Sequence, residues 1–175
     1  MIHSAVWKYD RLFTSVVALL PTTLQPLSSK LGKVTLPSIW ATFVLLLCGV
    51  LTINDHEQLA LTGIIIIASI PIGTILKLLV RRSRPKTIYA QNMKIKSYSF
   101  PSSHTYAATV AGGYMIHVIT ALLVPPISLI LSVIYAALIV AIGISRIHVG
   151  AHYPTDVTAG WILGTAVLYA ITQFI

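Results

Sequence analysis

The sequence predicts an all-α protein that is embedded in a membrane as a bundle of helices. Of its 175 residues, 56% are hydrophobic and only 9% are charged, whereas a soluble domain usually carries about 25% charged residues. Five apolar stretches approach the roughly 20 residues that a helix needs to cross a bilayer, and none of them alternates polar and apolar residues as a barrel strand does. We therefore expect one polytopic helical domain over residues 1–175.

The five predicted spans are joined by short links. They are expected at residues 34–53, 59–80, 104–124, 126–145 and 157–175. The acidic turn 54–58 and the Val124-Pro125-Pro126 turn lie at one end of the bundle. Because successive spans cross in opposite directions, the loop 81–103 and the link 146–156 must both lie at the other end.

The N-terminal segment, residues 1–30, is less regular. Its apolar run from Leu12 to Leu20 is followed by prolines and polar residues. We expect a helix that lies in the membrane interface, with Trp7, Tyr9 and Phe13 at the depth of the headgroups. A sixth, irregular span is the alternative interpretation.

The charge is strongly basic, with 12 Lys and Arg against 4 Asp and Glu. In a membrane protein this excess indicates anionic lipid headgroups or a phosphorylated substrate rather than nucleic acid. The single cysteine, Cys48, lies inside an apolar run and excludes an internal disulfide framework.

The first polar cluster runs from Lys77 to Pro85. On a continuing helix, Lys77, Arg81 and Arg84 would share one face. A cation inside a span costs about 2.5–3.5 kcal/mol, so Lys77 must reach the interface or have a partner. An ordinary basic membrane flank explains Arg81 and Arg82, whereas phosphate binding would also explain Lys77 and Arg84.

The second cluster, Pro101 to His104, opens the third predicted span. Free N–H groups at a helix start favour an anion, and the Ser hydroxyls can add hydrogen bonds. His104 can donate a proton near neutral pH. A capped helix start that happens to contain a histidine is the alternative.

The third cluster runs from Ser145 to Asp156. Arg146 offers a planar fork for phosphate oxygens. Asp156 follows His152 closely enough to hold one ring nitrogen and leave the other as a base or nucleophile. One alternative is a ring of polar residues at the membrane interface with no catalytic role. A metal site that uses His148 and His152 is another, although a glycine separates these histidines and Asp156 is the main nearby carboxylate.

These clusters resemble the three signature motifs of the type 2 phosphatidic acid phosphatase family, which shares its site with vanadium haloperoxidases. The matching residues are Lys77-x6-Arg84-Pro85, Pro101-Ser-Ser-His104 and Ser145-Arg146-x5-His152-x3-Asp156. The resemblance covers about residues 60 to 165. Ser103 occupies a position where the family usually has Gly, and we expect activity to survive because a helix start does not demand Gly.

The resemblance implies a phosphatase that needs neither a metal nor another cofactor. His152 would attack phosphorus to form a phosphohistidine, Asp156 would orient it, and His104 would protonate the leaving oxygen. The phosphoryl oxygens would be held by Lys77, Arg84, Ser102, Arg146 and the backbone near Ser103. His148 would be a wall residue. Headgroup attraction and topology would account for Arg81, Arg82, Lys94 and Lys96, which match no motif position.

The implied substrate is a membrane lipid that carries a phosphate or pyrophosphate. Polyprenyl pyrophosphate, phosphatidylglycerophosphate and phosphatidate all fit a site at headgroup level. One alternative is a lipid phosphotransferase. The other is a membrane transporter or lipid-binding scaffold that retains the site residues without hydrolytic activity. The family resemblance implies a multi-pass protein of the cell membrane with an extracytoplasmic site, whereas the basic residues on this face, Lys30 and Lys33 among them, favour the cytoplasm.

Overall fold

The structure is a computed structural model that describes residues 2–93 and 97–174, with side chains from residue 6 onward. Lys94 and Lys96, which we assigned to headgroup attraction, lie outside the described residues. Within these ranges the chain forms helices and no strands. The helices are α1 (Ile2–Val17), α2 (Gln25–Val34), α3 (Pro37–Ile53), α4 (Glu57–Ser69), α5 (Ile72–Val80), α6 (Ile88–Gln91), α7 (Ser103–Leu122), α8 (Ile127–His148) and α9 (Pro154–Phe174), with a 3-10 turn at Thr22–Leu24.

The predicted spans correspond to the long helices of this bundle. In the part of the chain that the structure describes, four helical stretches are long and apolar enough to cross a membrane, namely Glu57–Val80, Ser103–Leu122, Ile127–His148 and Pro154–Phe174. A fifth stretch qualifies only when Thr22–Val34 and Pro37–Ile53 are taken together, and these two helices meet at an angle of 51°. The prediction of a helical membrane bundle is therefore confirmed, with four or five spans.

Helix α7 forms the centre of the bundle. Tyr106, Ala107, Val110, Ala111 and Tyr114 are completely buried. They pack with apolar side chains from α3, α4 and α8 in one core cluster. Many of the α7 residues are small, which lets the neighbouring helices approach closely, as is common where lipid supplies no hydrophobic driving force between helices.

The contact between α7 and α9 fixes the two helix starts that carry the second and third motifs. A Cβ atom on Gly160 would lie 2.9 Å from Thr105 Cβ, and one on Gly164 would lie 2.6 Å from Thr109 Cβ. The two helices therefore touch along one line. At the end of that line the Ser102 N–H donates to the Asp156 carbonyl over 3.0 Å, so the two motifs are tied together through the backbone.

The N-terminal helices α1 and α2 pack on the end of the bundle that carries the motifs. Val17 of α1 forms a small apolar cluster with Ile147 and Val157, and Tyr9 hydrogen-bonds Thr158 over 3.1 Å. Helix α1 is 16 residues long and is not among the described helices that could cross a membrane. Its position in the interface stays a prediction.

Candidate active site

Lys77 lies in the last turn of α5 and is almost fully buried. Its ammonium group donates to the Tyr98 carbonyl over 2.9 Å and to the Ser99 carbonyl over 3.3 Å. These acceptors are the partners that a cation inside a span requires. The expectation of a continuing helix is wrong, because α5 ends at Val80 and Arg81 adopts a left-handed conformation with φ of 51°. Arg84 therefore reaches the site from an extended segment.

The Arg84 guanidinium lies directly against His152. One nitrogen, Nη1, donates to the Ala151 carbonyl over 2.8 Å and lies 3.2 Å from His152 Nε2. Its other nitrogens donate to the carbonyl and hydroxyl oxygens of Ser97. The first and third motifs therefore meet, as their placement on one face predicted.

The contact with Arg84 defines the tautomer of His152. A guanidinium can only donate hydrogen bonds, so Nε2 must present its lone pair and the ring proton must lie on Nδ1. Burial, together with the positive charges of Arg84 and Lys77, lowers the pKa of His152 to about 4, although Asp156 opposes this shift. The ring is therefore neutral at pH 7, and Nε2 has the character of a nucleophile.

Asp156 lies beside the other nitrogen of His152. Its Oδ2 atom is 3.4 Å from Nδ1, yet Nδ1 has no hydrogen bond of good geometry to any residue described. We interpret the pair as an electrostatic contact that a small rotation of the ring would turn into a hydrogen bond, since such bonds are often loose before substrate binds. The predicted orienting role of Asp156 agrees with this geometry.

Three further groups hold the Asp156 carboxylate in place. The Ser99 hydroxyl and the Tyr153 backbone N–H donate to Oδ2, the latter over 2.9 Å. Arg82 donates to Oδ1 over 2.6 Å. Asp156 is completely buried, so these donors compensate for the loss of water around its charge.

Arg82 is a site residue that sequence reasoning missed. Its guanidinium also donates to Asp10 and Thr155, both over 2.6 Å, and lies 4.2 Å from the centre of the Tyr153 ring. Burial alone would lower the pKa of Arg82, but Asp10 and Asp156 raise it above its usual value. The assignment of Arg82 to headgroup attraction is therefore wrong, because its charge points into the protein.

The second motif forms the start of α7 as predicted. Ser102 is the N-cap and its hydroxyl accepts a bond from the Thr105 hydroxyl over 3.0 Å. Ser103 is the first helical residue and is not among the residues with positive φ. The serine at the usual Gly position is thus compatible with the backbone. The phosphate-binding roles of Ser102 and Ser103 stay predictions.

His104 and Arg146 both contact α2, which covers the site. The Gly32 carbonyl lies 3.1 Å from His104 Nε2 and must accept its proton. The Arg146 guanidinium is almost fully buried and donates to the Ser28 carbonyl and the Ser145 hydroxyl. A Cβ atom on Gly32 would lie only 1.7 Å from Arg146 Nη1, so this close approach requires glycine.

The link between α8 and α9 turns at Gly150, which has a φ of +73°. The Thr87 hydroxyl, which also caps α6, donates to the Gly150 carbonyl over 2.8 Å. His148 contacts Ser28 of α2 through Nδ1 over 2.9 Å and has no contact with His152 among those described. These contacts agree with its expected place in the wall.

The centre is closed in this conformation. The exposed fractions of Lys77, Arg146, His152 and Asp156 are all 5% or less. A cavity of about 470 Å³ lies beside the link, next to His148 and Gly150, but His152 does not line it. The Arg84 guanidinium, which lies against Nε2, therefore has to move before another group can reach that atom.

The arrangement supports transfer of an anionic group to a neutral histidine. A buried lone pair on His152 Nε2 lies near the positive charges of Lys77 and Arg84, and a second histidine lies near Arg146. Cations placed around a nucleophile stabilise the charge that develops during phosphoryl transfer.

Comparisons with known proteins give a consistent result. Residues 58–175 match the family model described as PAP2 superfamily. The undecaprenyl-diphosphatase of Sulfolobus acidocaldarius is 31% identical over 156 residues, which cover 86% of this chain and 70% of that protein. The decaprenylphosphoryl-5-phosphoribose phosphatase of Mycobacterium tuberculosis is 36% identical over 102 residues, which are 55% of this chain and 49% of that protein.

A solved structure shares the fold. The transmembrane PAP2 type phosphatidylglycerolphosphate phosphatase from Bacillus subtilis superposes with a TM-score of 0.80, covering 97% of this chain and 86% of that chain. The two sequences are 21% identical. The helical membrane architecture is thus that of a known membrane phosphatase.

Proposed function

This chain belongs to the PAP2 superfamily, whose members named above act on lipid phosphates, and from this premise we propose that it is a lipid phosphatase that works through a phosphohistidine. The observation that carries the proposal is the buried lone pair of His152 Nε2, which faces Arg84 at 3.2 Å. A neutral imidazole that is surrounded by cations suits attack on an anionic phosphoryl group. We further propose that residues 1–175 act as one catalytic unit, with the motifs in 77–156.

The reaction proceeds in two steps. His152 Nε2 attacks the terminal phosphorus and forms a P–N bond, while the bond between phosphorus and the leaving oxygen breaks. That oxygen takes a proton from the imidazolium form of His104, which becomes neutral. A water molecule then gives a proton to His104 and attacks phosphorus, which breaks the P–N bond and releases inorganic phosphate. Asp156 stabilises the positive charge that the imidazole carries in the intermediate.

The cations bind the phosphoryl oxygens in this proposal. As the substrate enters, the Arg84 guanidinium moves from His152 onto a phosphoryl oxygen. Lys77 exchanges one of its backbone carbonyl partners for a second phosphoryl oxygen, and the planar guanidinium of Arg146 binds further oxygens. Ser102 and the first N–H groups of α7 complete the shell. No divalent metal is needed, because these groups supply the positive charge.

We propose a polyprenyl diphosphate as the substrate, with a glycerophospholipid phosphate as the second candidate. The names of two relatives specify polyprenyl lipids, and the relative with the shared fold is named for phosphatidylglycerophosphate. A site at the end of the bundle, covered by α2, is suited to a phosphate at headgroup depth with its chain in the bilayer.

A lipid panel tests this function. Purified protein in detergent with EDTA should release phosphate from a polyprenyl diphosphate faster than from phosphatidylglycerophosphate or phosphatidate. A strict requirement for added divalent metal would contradict the mechanism. Transfer of the phosphoryl group to a second lipid without phosphate release would identify a phosphotransferase, and no turnover of any lipid would favour a transporter or scaffold.

We propose that the site faces away from the cytoplasm. The positive-inside rule by itself would place the basic residues of this face in the cytoplasm, but Lys77 and Arg82 bind carbonyls and carboxylates inside the protein. Their charges are therefore explained by the site rather than by topology.

Cysteine labelling tests this orientation. In a Cys48→Ser background, Gln91→Cys should react with an impermeant maleimide added to intact cells, whereas Asp55→Cys at the opposite end should not. Both positions are exposed. The reverse pattern would place the site in the cytoplasm.

A further inference from the structure

Asp10 is a buried carboxylate in the N-terminal helix α1, and only 2% of its surface is exposed. Both of its oxygens are used. Oδ1 accepts from the Thr155 backbone N–H over 2.8 Å, while Oδ2 accepts from the Thr155 hydroxyl over 3.0 Å and from Arg82 over 2.6 Å. Asp10 thus contacts the first turn of α9 directly, one residue before Asp156.

Arg82 connects this carboxylate to the nucleophile. One guanidinium nitrogen contacts Asp10 and another contacts Asp156, each at 2.6 Å. Asp156 in turn lies 3.4 Å from His152 Nδ1. The charged groups therefore follow one another from α1 to His152 in the order Asp10, Arg82, Asp156 and His152.

Neither the sequence motifs nor the family match includes Asp10. The matched region begins at residue 58, and the motifs begin at Lys77. An acid in a helix at the end of a membrane bundle would ordinarily face water or headgroups, whereas Asp10 is buried against an arginine and the start of α9. Its position requires an explanation that the motifs do not supply.

We propose that Asp10 is a positioning residue for the nucleophile, which shares Arg82 with Asp156 so that the Asp156 carboxylate stays directed at His152. This inference rests on the proposed phosphatase function. Asp10 touches neither the substrate nor the reacting atoms. It acts through Arg82, and it makes helix α1 a part of the catalytic unit.

The charges give the physical reason. Arg82 carries one positive charge and contacts two carboxylates, so the three groups together carry one negative charge. Without Asp10, both terminal nitrogens of the Arg82 guanidinium can bind Asp156 as a bidentate pair. The positive charge of Arg82 would then neutralise the Asp156 carboxylate alone. Asp156 would then stabilise the positive imidazole of the phosphohistidine less well, and the chemical step would slow.

Substrate binding should respond differently from the chemical step. Loss of the Asp10 charge makes the region one unit more positive, which does not oppose an anionic phosphate. We therefore expect kcat to fall while KM stays constant or decreases. A merely structural role of Asp10 would instead lower the folded fraction, which reduces the apparent kcat and leaves KM unchanged, so kcat is calculated per folded protein.

The experiment is a kinetic comparison of variants on the full chain in detergent. Asp10→Asn should lower kcat by about 10- to 100-fold while KM changes by no more than about twofold. The loss of kcat is taken from metal sites, where removing a residue that orients a metal ligand commonly costs about 10- to 100-fold in affinity or activity. Asp10→Glu keeps the charge and should restore most of kcat. Asp55→Asn removes an exposed acid from the opposite end and should match the wild type.

A double-mutant cycle tests the path through Arg82. In an Arg82→Gln background, Asp10→Asn should cause little further loss, because the group through which it acts is gone. Independent, multiplying effects would overturn the proposal, as would an unchanged kcat in Asp10→Asn. If Asp10→Asn fails to fold, Asp10→Glu decides: a folded variant that keeps most of kcat supports the proposal, and a folded but inactive variant overturns it, because the charge alone then does not position Asp156.

The outcomes separate this inference from the proposed function. No phosphate release by the wild type would overturn the function. An active wild type with a fully active Asp10→Asn variant would overturn only the role of Asp10.

Discussion

Replacing His152 with Ala should lower phosphate release by about 10⁴-fold or more while leaving the fold intact. The loss is expected to be this large because the variant lacks the atom that forms the P–N bond, and a water molecule held in its place is not an equivalent nucleophile. The wild type should also form an acid-labile phosphoenzyme when it is quenched during turnover, and His152→Ala should form none.

The control is His56→Ala, which removes an exposed histidine from the opposite end of the bundle. This variant should match the wild type in rate and in phosphoenzyme level. Thermal unfolding in detergent should show a similar melting temperature for all three proteins. Substantial turnover by folded His152→Ala would assign the nucleophile to another residue.

Replacing Gly32 with Ala should lower kcat/KM by about 100-fold. The added Cβ would lie 1.7 Å from Arg146 Nη1 and 2.2 Å from Arg146 Cζ, so either the guanidinium or α2 must move. Misplacing a group that positions substrate by about 1 Å commonly costs about 100-fold in rate. The same movement would weaken the bond between His104 and the Gly32 carbonyl.

Gly49→Ala is the matched control, because a Cβ atom there meets nothing within 4 Å. Both glycines lie inside helices, where alanine is favoured by up to about 1 kcal/mol. A loss of activity in Gly32→Ala alone would therefore come from contact with the site. Equal activity of the two variants would mean that Arg146 tolerates displacement and does not hold the phosphoryl group.

The sequence predicts the helical bundle and the placement of the three motifs at one end of it, because both follow from the length and the order of the apolar stretches. Long apolar stretches must be helices in lipid, whatever their neighbours are. The alternation of crossing directions then places Lys77, His104 and His152 at one end. The tautomer and the exact contacts of His152 do not follow from this reasoning, since they depend on where the Arg84 side chain ends.

The sequence does not predict the roles of Arg82, Asp10 and Gly32. Arg82 lies in a run of basic residues that any membrane flank could carry, and the residue pattern predicts neither the end of α5 at Val80 nor the left-handed turn at Arg81 that precede it. Asp10 and Gly32 act across 72 positions of the chain, on Arg82 and His104 respectively. No local spacing in the sequence predicts contacts between residues so far apart. Asp10 is nevertheless a lone acid in an otherwise apolar and basic N-terminal segment, and this could have indicated that it has a buried partner.

The contact between Arg84 and His152 has a consequence for the enzyme at rest. The lone pair of Nε2 is occupied by a guanidinium, and 96% of the His152 surface is shielded. A neutral electrophile gains nothing by approaching that cation, whereas an anion attracts it away from the ring. In the proposed mechanism, the Arg84 guanidinium therefore shields His152 Nε2 until an anionic substrate draws that guanidinium away.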